Sequence, residues 1–452
     1  MTQERSSFSN RIGFVLAAAG SAVGLGNIWR FPYLAARYGG GIFLLVYIVL
    51  VVTFGFTLMI TEIAIGRKTR LSAIEAYKAL DKRFAFIGVL STVVPVIIFP
   101  YYCVIGGWVV KYFVSYVIGQ GAMAAGDTYF AEFTSQTFSP VMWLSIYVVL
   151  TSVIVMFGVE KGVEKASRIM MPVLVVLSFI IVIFVMTMPG AWEGVKYYIT
   201  PNFKDFSITT VLAAMGQMFY SMSLAMGIMI TYGSYMKKQD NLEKSVRQIE
   251  IFDTGIAVLA GLMIVPAVFV FSGGDQDALN TGPSLMFITL PKVFDAMPVV
   301  GHFVGGLFFL LVLFAALTSS ISLMETIVSI LQDKLHWKRM TTCIIVMIGG
   351  ILIGIPSSLG FGVWDSFKIL GLSILDFFDF LSNSVLMPIV ALLTSIFVGW
   401  VLKTKTIVEE VELSEKFRMK KLYHIMIRYV APIFLIAILV SSVLNTLGWI
   451  TI

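Results

Sequence analysis

Charge is scarce in this chain. Of its 452 residues only 13% are Asp, Glu, Lys or Arg, while 58% are hydrophobic; a soluble domain carries about twice that charged share. A water-soluble globular fold is therefore excluded. Cysteine and histidine are scarce too, with two Cys and three His. Cys103 and Cys343 lie inside apolar runs, where Cys behaves as a small hydrophobe, so neither a disulfide framework nor a thiolate metal site follows. His302, His336 and His424 fall near the ends of apolar segments. No HExxH, phosphate loop or GxSxG elbow occurs. With no nucleophile–base or metal constellation, an enzyme is the weakest reading.

What is present is apolar sequence in long runs, with a mean hydropathy of +0.92. About eleven stretches are long enough to cross a hydrocarbon core of roughly 30 Å at 1.5 Å rise per residue. They fall at 12–37, 41–66, 87–118, 140–157, 167–188, 208–236, 246–272, 301–333, 341–357, 366–400 and 425–448. The expected fold is an all-α polytopic membrane protein with no separate soluble domain.

The net charge of +6 would suit a nucleic acid or another acidic partner, but its distribution argues for lipid. Lys and Arg cluster after alternate spans: Arg67, Lys68 and Arg70 through Arg83; Lys161, Lys165 and Arg168; Lys237, Lys238, Lys244 and Arg247; Lys334, Lys338 and Arg339; and Lys403 through Lys421. The intervening loops carry Asp127, Glu132, Glu193, Asp275 and Asp277 with few basic residues. That asymmetry follows the positive-inside rule. It puts the N-terminus in the cytoplasm and, for an odd number of spans, the C-terminus outside. The apolar run after Met1 continues past any signal-peptide cleavage point, so no cleavage is expected.

Two segments are broken at their middles by small and polar residues. The first reads Gly20-Ser21-Ala22-Val23-Gly24-Leu25-Gly26-Asn27, the second Tyr220-Ser221-Met222-Ser223-Leu224-Ala225-Met226-Gly227. In lipid every backbone N–H and C=O needs a partner, so a helix is interrupted at membrane depth only where the freed groups bind something. Each broken segment opens a set of five, which points to a central site between two repeats. The repeats are expected at 1–190 and 191–400, followed at 401–452 by a cytoplasmic linker and an eleventh helix. The stretch near 273–300, with Gly273-Gly274 and Pro283, is expected to fold back toward the site from outside. Ionisable residues at membrane depth, Arg30, Glu62, Asp253, Asp376 and Asp379, should face protein or a water-filled path. For Glu62 and Asp376 a structural pair near a helix end is the competing reading.

The run Arg11-Ile12-Gly13, followed by Gly20 to Pro32 and ending Gly-Asn-Ile-Trp-Arg-Phe-Pro, resembles the first helix of the neurotransmitter:sodium symporter family. Further similarities lie at Gly39-Gly40-Gly41, Glu62 with Gly66-Arg67, Pro100-Tyr101-Tyr102, Gly216-Gln217 through Gly233-Ser234-Tyr235, and Leu317-Thr318-Ser319-Ser320. The resemblance covers the first ten segments, and is greatest to bacterial members that carry several hydrophobic amino acids on eleven helices. It implies a five-plus-five inverted repeat, the LeuT-like fold, with helices 1 and 6 discontinuous. It also implies sodium-coupled symport of hydrophobic L-amino acids, aliphatic and aromatic, across a bacterial cytoplasmic membrane.

Carried over residue by residue, the resemblance implies a substrate carboxylate on the amides of Leu25 and Gly26 and the hydroxyl of Tyr102. The ammonium would meet carbonyls of Ala22, Tyr220, Ser221 and Ser223. Ile98, Tyr102, Tyr220, Met226 and Leu323 would line the side-chain pocket, with Gly24 and Ser319 completing the wall. A first Na⁺ would take Ala22, Asn27, Ser221 and Asp253; a second would take the carbonyls of Gly20, Val23 and Ala315 with the hydroxyls of Thr318 and Ser319. Sodium, a hard cation, suits such oxygen donors. Arg30 and Asp379 match the outer gate. Arg5 and Asp333 match the inner one, with Tyr235 beside them and Phe8 where relatives have Trp. Gly162 and Pro172 match a motif at which helix 5 unwinds.

Asp253 departs from the family pattern, which has Asn there and draws negative charge from chloride or from a Glu four residues on, here Ala257. Tyr47, Gln217 and Ser221 match the positions around that chloride. A carboxylate at 253 supplies the charge itself, so no chloride requirement is expected. Two other functions stay open on the residues alone: a proton-coupled amino acid transporter of the same fold, and an amino-acid-binding receptor or channel subunit.

Overall fold

The computed structural model describes residues 6–272, 283–297 and 300–446. Among these the chain is helical, without a strand; its only bridges are the isolated contacts Gly40–Pro201 and Ile369–Leu372. The spans are α1 (Arg11–Ala22 and Gly26–Arg37, bent by 55°), α2 (Gly41–Thr69), α3 (Lys82–Val117), α4 (Phe138–Met156), α5 (Val159–Met186), α6 (Ile208–Ser221 and Ile228–Tyr235), α7 (Leu242–Phe271), α8 (Gly301–Leu335), α9 (Arg339–Leu359), α10 (Ile374–Val401) and α11 (Lys420–Asn445).

Their arrangement follows from which runs are enclosed. In α8 83% of the apolar window is buried, against 22% in α11, so α8 is a central strut and α11 a lipid-facing addition beside α10. The first half of α1 sits between α5, α7 and α8, and α8 backs onto α3. The second half of α6 is fastened to α2 by reciprocal glycines. A Cβ on Gly66 would lie 1.9 Å from the Ile230 carbonyl oxygen, and one on Gly233 would lie 2.4 Å from that of Ile63. Only glycine permits this approach.

Several boundaries differ from expectation. Helix α5 begins at Val159 rather than near 167, because Gly158 at φ +91° starts a π-helical turn, Val159–Glu164. Its charges depress hydropathy, yet Glu164 is buried and pairs with Arg168 at 2.6 Å. Helix α10 begins at Ile374 rather than 366, where the Ser373 hydroxyl accepts the Asp376 N–H at 3.1 Å and caps it. Segment 401–424 is more than a charged linker, since it contains an amphipathic helix, Thr404–Val411, whose Glu410 is buried. Of the 273–300 stretch, residues 283–297 and 300 are described, and Gly273-Gly274 lie outside the described residues. Residues 283–297 form a π-turn (Leu285–Thr289) and a short helix (Leu290–Asp295), with Phe287 packed on Trp108 and Phe130.

Candidate functional site

Both breaks are built by identifiable residues. In α1, Val23 leaves the helix in an extended conformation (φ −74°, ψ 99°), and the Asn27 side-chain oxygen accepts the freed Gly24 N–H at 3.1 Å. In α6, Ser223, Ala225 and Gly227 all adopt positive φ, at 53°, 61° and 72°. That conformation is unfavourable for the two non-glycine residues and persists only where surroundings impose it. Here the Ser223 hydroxyl donates to the Ser21 carbonyl at 2.9 Å, tying one break to the other. The Ala225 N–H donates to the Glu62 carboxylate at 2.7 Å. Glu62 and Asp376 are therefore not a structural pair: Glu62 holds open the α6 break, and Asp376 belongs to the cap of α10.

Between the breaks lies a narrow cavity. Every residue expected around the substrate lines it, together with Asn27, Ser21 and Ile228. Ser21 and Ile228 were not anticipated, although both flank the glycine-containing breaks. The Leu25 N–H donates to the Tyr102 hydroxyl at 3.4 Å. A Cβ on Gly24 would lie 2.6 Å from the Ser319 Oγ, and one on Gly26 would lie 2.4 Å from the Tyr220 ring. Backbone amides thus reach the cavity wall where side chains would block them.

Beside the cavity, Asp253 is fully buried. Its carboxylate accepts from Asn27 Nδ2 at 2.8 Å, the Tyr47 hydroxyl at 3.1 Å and the Ser221 hydroxyl at 3.2 Å. Asn27, Ser221 and Asp253 are brought together, and Tyr47 joins them. Gln217, the remaining chloride-position residue, instead donates to the Gly26 carbonyl at 2.9 Å. On the other side, the Ser319 hydroxyl donates to the carbonyls of Ser21 at 3.1 Å and Val23 at 3.4 Å. The Thr318 hydroxyl donates to the Ala315 carbonyl at 3.0 Å, and a Cβ on Gly20 would touch Thr318 at 3.1 Å. Two oxygen-rich clusters therefore flank the cavity.

A second cavity has a wall that includes Arg30, Tyr101, Pro283, Asp376 and Asp379. Tyr220 borders both cavities and separates them. Arg30 and Asp379 share this second cavity without an ion pair. The Arg30 guanidinium lies 5.5 Å from the Tyr220 ring centroid, while Asp379 accepts from Tyr101 at 3.2 Å and Asn383 at 2.6 Å. On the opposite face Arg5 lies outside the described residues. Asp333 accepts the Ser72 N–H at 2.8 Å, and the Tyr235 hydroxyl donates to Glu325 at 2.8 Å. Phe8 is buried among Phe14, Tyr232 and Tyr235. Ser9 is held by Glu164 on the π-turn of α5 and by Lys237, whose ammonium donates to the Ser9 carbonyl at 2.7 Å. Pro172 lies inside α5, and a Cβ on Gly162 would lie 2.1 Å from the Ile154 carbonyl oxygen.

A helical membrane fold with two broken helices meeting at a central cavity defines a secondary transporter. The chain belongs to the sodium:neurotransmitter symporter family, whose model matches residues 5–125 and 135–449. It is 38% identical over 408 residues to the uncharacterized sodium-dependent transporter YhdH of Bacillus subtilis (strain 168), covering 88% of each chain. The human sodium- and chloride-dependent GABA transporter 2 is more distant, 25% identical with 91% of this chain and 75% of that one covered. Among solved structures, MhsT in complex with L-phenylalanine superposes with a TM-score of 0.88 at 36% identity, covering 97% of this chain and all of MhsT. The fold is thus the five-plus-five LeuT-like arrangement with helices 1 and 6 discontinuous.

Proposed function

We propose that this protein couples Na⁺ entry to uptake of hydrophobic L-amino acids by alternating access. The observation that carries the reading is the cavity wall. Backbone N–H groups start the second half of α1, and unwound carbonyls end the first halves of α1 and α6, so both ends of a zwitterion find partners. The remaining lining, with Ile98, Met226, Ile228 and Leu323, is apolar and offers no counter-charge for an acidic or basic side chain. The match to a structure bound to L-phenylalanine supports the same class. Na⁺ travels as a co-substrate in this reading: the Asp253 cluster takes one ion and the Thr318–Ser319 cluster a second, without chloride.

Transport then needs the second cavity, on the outside, and the inner face to open in turn. Arg30 and Asp379, already separate, close over Tyr220 on the outside. On the inside, release of Phe8 and Ser9 frees the first half of α1, and the π-turn of α5 yields with it. The repeats at 1–190 and 191–400 move as bundle against scaffold, with 401–452 outside them. In this reading the basic loops and the N-terminus face the cytoplasm, in keeping with the positive-inside rule, and the membrane is a bacterial cytoplasmic membrane.

Binding of radiolabelled amino acid to purified protein, with Na⁺ or choline and a panel of twenty competitors, tests the function. Na⁺-dependent binding displaced by Leu, Ile, Phe and Met but not by Asp or Lys is expected. Binding that persists in choline, or that follows a pH gradient alone, overturns sodium coupling, and absence of counterflow in proteoliposomes overturns transport. In the same assay Tyr102→Phe should weaken binding by roughly 1.5–3 kcal/mol, the loss typical of a hydrogen bond to a charged group. Unchanged affinity would remove that hydroxyl from the site.

A further inference from the structure

On the side away from the lysine-rich loops, the connection from α5 to α6 carries a short helix, Ala191–Ile199, and a stretch that leads into Ile208. Its side chains are sorted by polarity. A cleft at this end of the molecule takes Glu193, Lys196, Thr200, Asn202, Asp205 and Ser207, and every residue that the connection contributes to it carries a polar group. The large apolar side chains exposed between 191 and 210 are Trp192, Ile199, Phe203, Phe206 and Ile208, and all of them lie outside the cleft. Trp192, Phe203 and Ile208 are 76%, 73% and 77% exposed, more than a chance apolar surface residue needs to be. Apolar surface gathered beside a polar rim marks an interaction surface.

The helix shows how the sorting is built. Ala191, Gly194, Val195 and Tyr198 are buried against α7. Trp192 and Ile199 stand seven residues apart, so they differ by only about 20° around the axis and form one stripe on its flank. Glu193, Lys196 and Thr200 occupy the next flank and face the cleft.

Its level in the bilayer follows from the helices that hold it. Helix α7 has 30 residues, about 45 Å at 1.5 Å each, and the hydrocarbon core is roughly 30 Å thick. With α7 centred, Pro266 falls at about the boundary of the core, and Gly194 packs directly on it: a Cβ there would lie 2.7 Å from the Pro266 Cα. Helix α5, with 28 residues, ends about 6 Å beyond the same boundary. It arrives there with an apolar stripe already exposed, Val176, Phe179 and Ile183. The connection therefore runs at headgroup depth, where Trp and other amphipathic rings concentrate, and its apolar surface continues the lipid-facing surface of α5. A partner arriving from water would meet the polar cleft instead.

We propose that the α5–α6 connection is a membrane-interface anchor: the short helix and the stretch after it lie in the headgroup zone of the leaflet away from the lysine-rich loops, with Trp192, Ile199, Phe203, Phe206 and Ile208 set into lipid. The same connection holds the end of α1. The Tyr197 hydroxyl donates to the Ala36 carbonyl at 2.6 Å, and Gly40 bridges to Pro201, so the lipid interface fixes the depth of the turn between α1 and α2.

The test is tryptophan fluorescence of the full chain in phospholipid nanodiscs, read as the difference between wild type and Trp192→Phe so that the other tryptophans cancel. Lipids brominated near the headgroup end of their acyl chains are expected to remove most of that difference signal, lipids brominated near the terminal methyl much less, and aqueous iodide almost none. Circular dichroism matching wild type shows that the variant folds. If it does not, Phe203→Trp adds a reporter to the same surface and should show the same order of quenching. Quenching by iodide but not by brominated lipid puts the surface in water. Shielding from both quenchers puts it against protein, and a doubled particle mass in light scattering would identify a second copy. Either result, or quenching strongest from the methyl end, overturns the proposal.

Discussion

Asp253→Asn should weaken Na⁺-dependent substrate binding roughly 30- to 150-fold, the equivalent of about 2–3 kcal/mol for losing a charge-assisted contact. The carboxylate is fully buried and gathers three donors, from Asn27, Tyr47 and Ser221. Those donors fix the carboxylate oxygens in place beside the cavity, where they can serve as ligands of a hard cation. Asparagine keeps an oxygen but deletes the charge, and it brings an N–H₂ into a cluster already rich in donors. Wild-type uptake should persist when gluconate replaces chloride. In the variant the hydroxyls of Tyr47 and Ser221 lose their anionic acceptor, so added chloride should restore part of the lost affinity while gluconate does not. Na⁺ titration of substrate binding in chloride-free buffer checks this directly. Wild-type Na⁺ affinity in the variant, or chloride-dependent wild-type transport, would refute the role given to Asp253.

The cavity was legible in the sequence because lipid imposes one strict rule: polar and glycine residues at the middle of an apolar run must serve something. Gly20 to Asn27 and Tyr220 to Gly227 violate the apolar pattern in corresponding places, and they are where the helices break. The groups holding the breaks open were harder to read. Glu62 bonds the Ala225 N–H from 163 residues away, and no local pattern marks a carboxylate aimed at a distant backbone amide. The start of α5 was missed for a related reason. Lys161, Glu164 and Lys165 lower the hydropathy of the turn, yet Glu164 is compensated by Arg168 and Ser9, a pairing visible only once the N-terminal segment is folded across it. Segment 401–424 read as a solvated linker by composition, and one ion pair shows why composition failed.

Glu410→Ala should destabilise the protein by about 3–5 kcal/mol, the usual consequence of removing one partner from a buried ion pair. Arg67 is fully buried and Glu410 2% exposed. The Arg67 Nε donates to the Glu410 carboxylate at 2.8 Å, Nη1 donates to the Asp240 carbonyl at 2.8 Å, and Nη2 to the backbone carbonyl of Glu410. One guanidinium thus joins the end of α2, the turn between α6 and α7, and the helix that precedes α11. Further contacts follow the same path: Tyr423 and Thr61 share a hydrogen bond at 3.0 Å, and the Phe417 ring lies against Phe56. Alanine at 410 leaves a guanidinium without its counter-charge where water cannot reach it, and that penalty, rather than the net worth of the pair, sets the size of the effect. Two comparisons separate these quantities. Glu410→Gln keeps an acceptor without the charge and should fall between wild type and alanine. The double variant Arg67→Met with Glu410→Leu removes both charges and should recover most of the lost stability. Thermal unfolding in a single detergent, monitored by the accessibility of Cys103 and Cys343, reads all four proteins on one scale. If Glu410→Ala unfolds with wild type, the segment before α11 rests on the surface of the bundle instead of bracing the end of α2, and its burial makes no contribution to the fold.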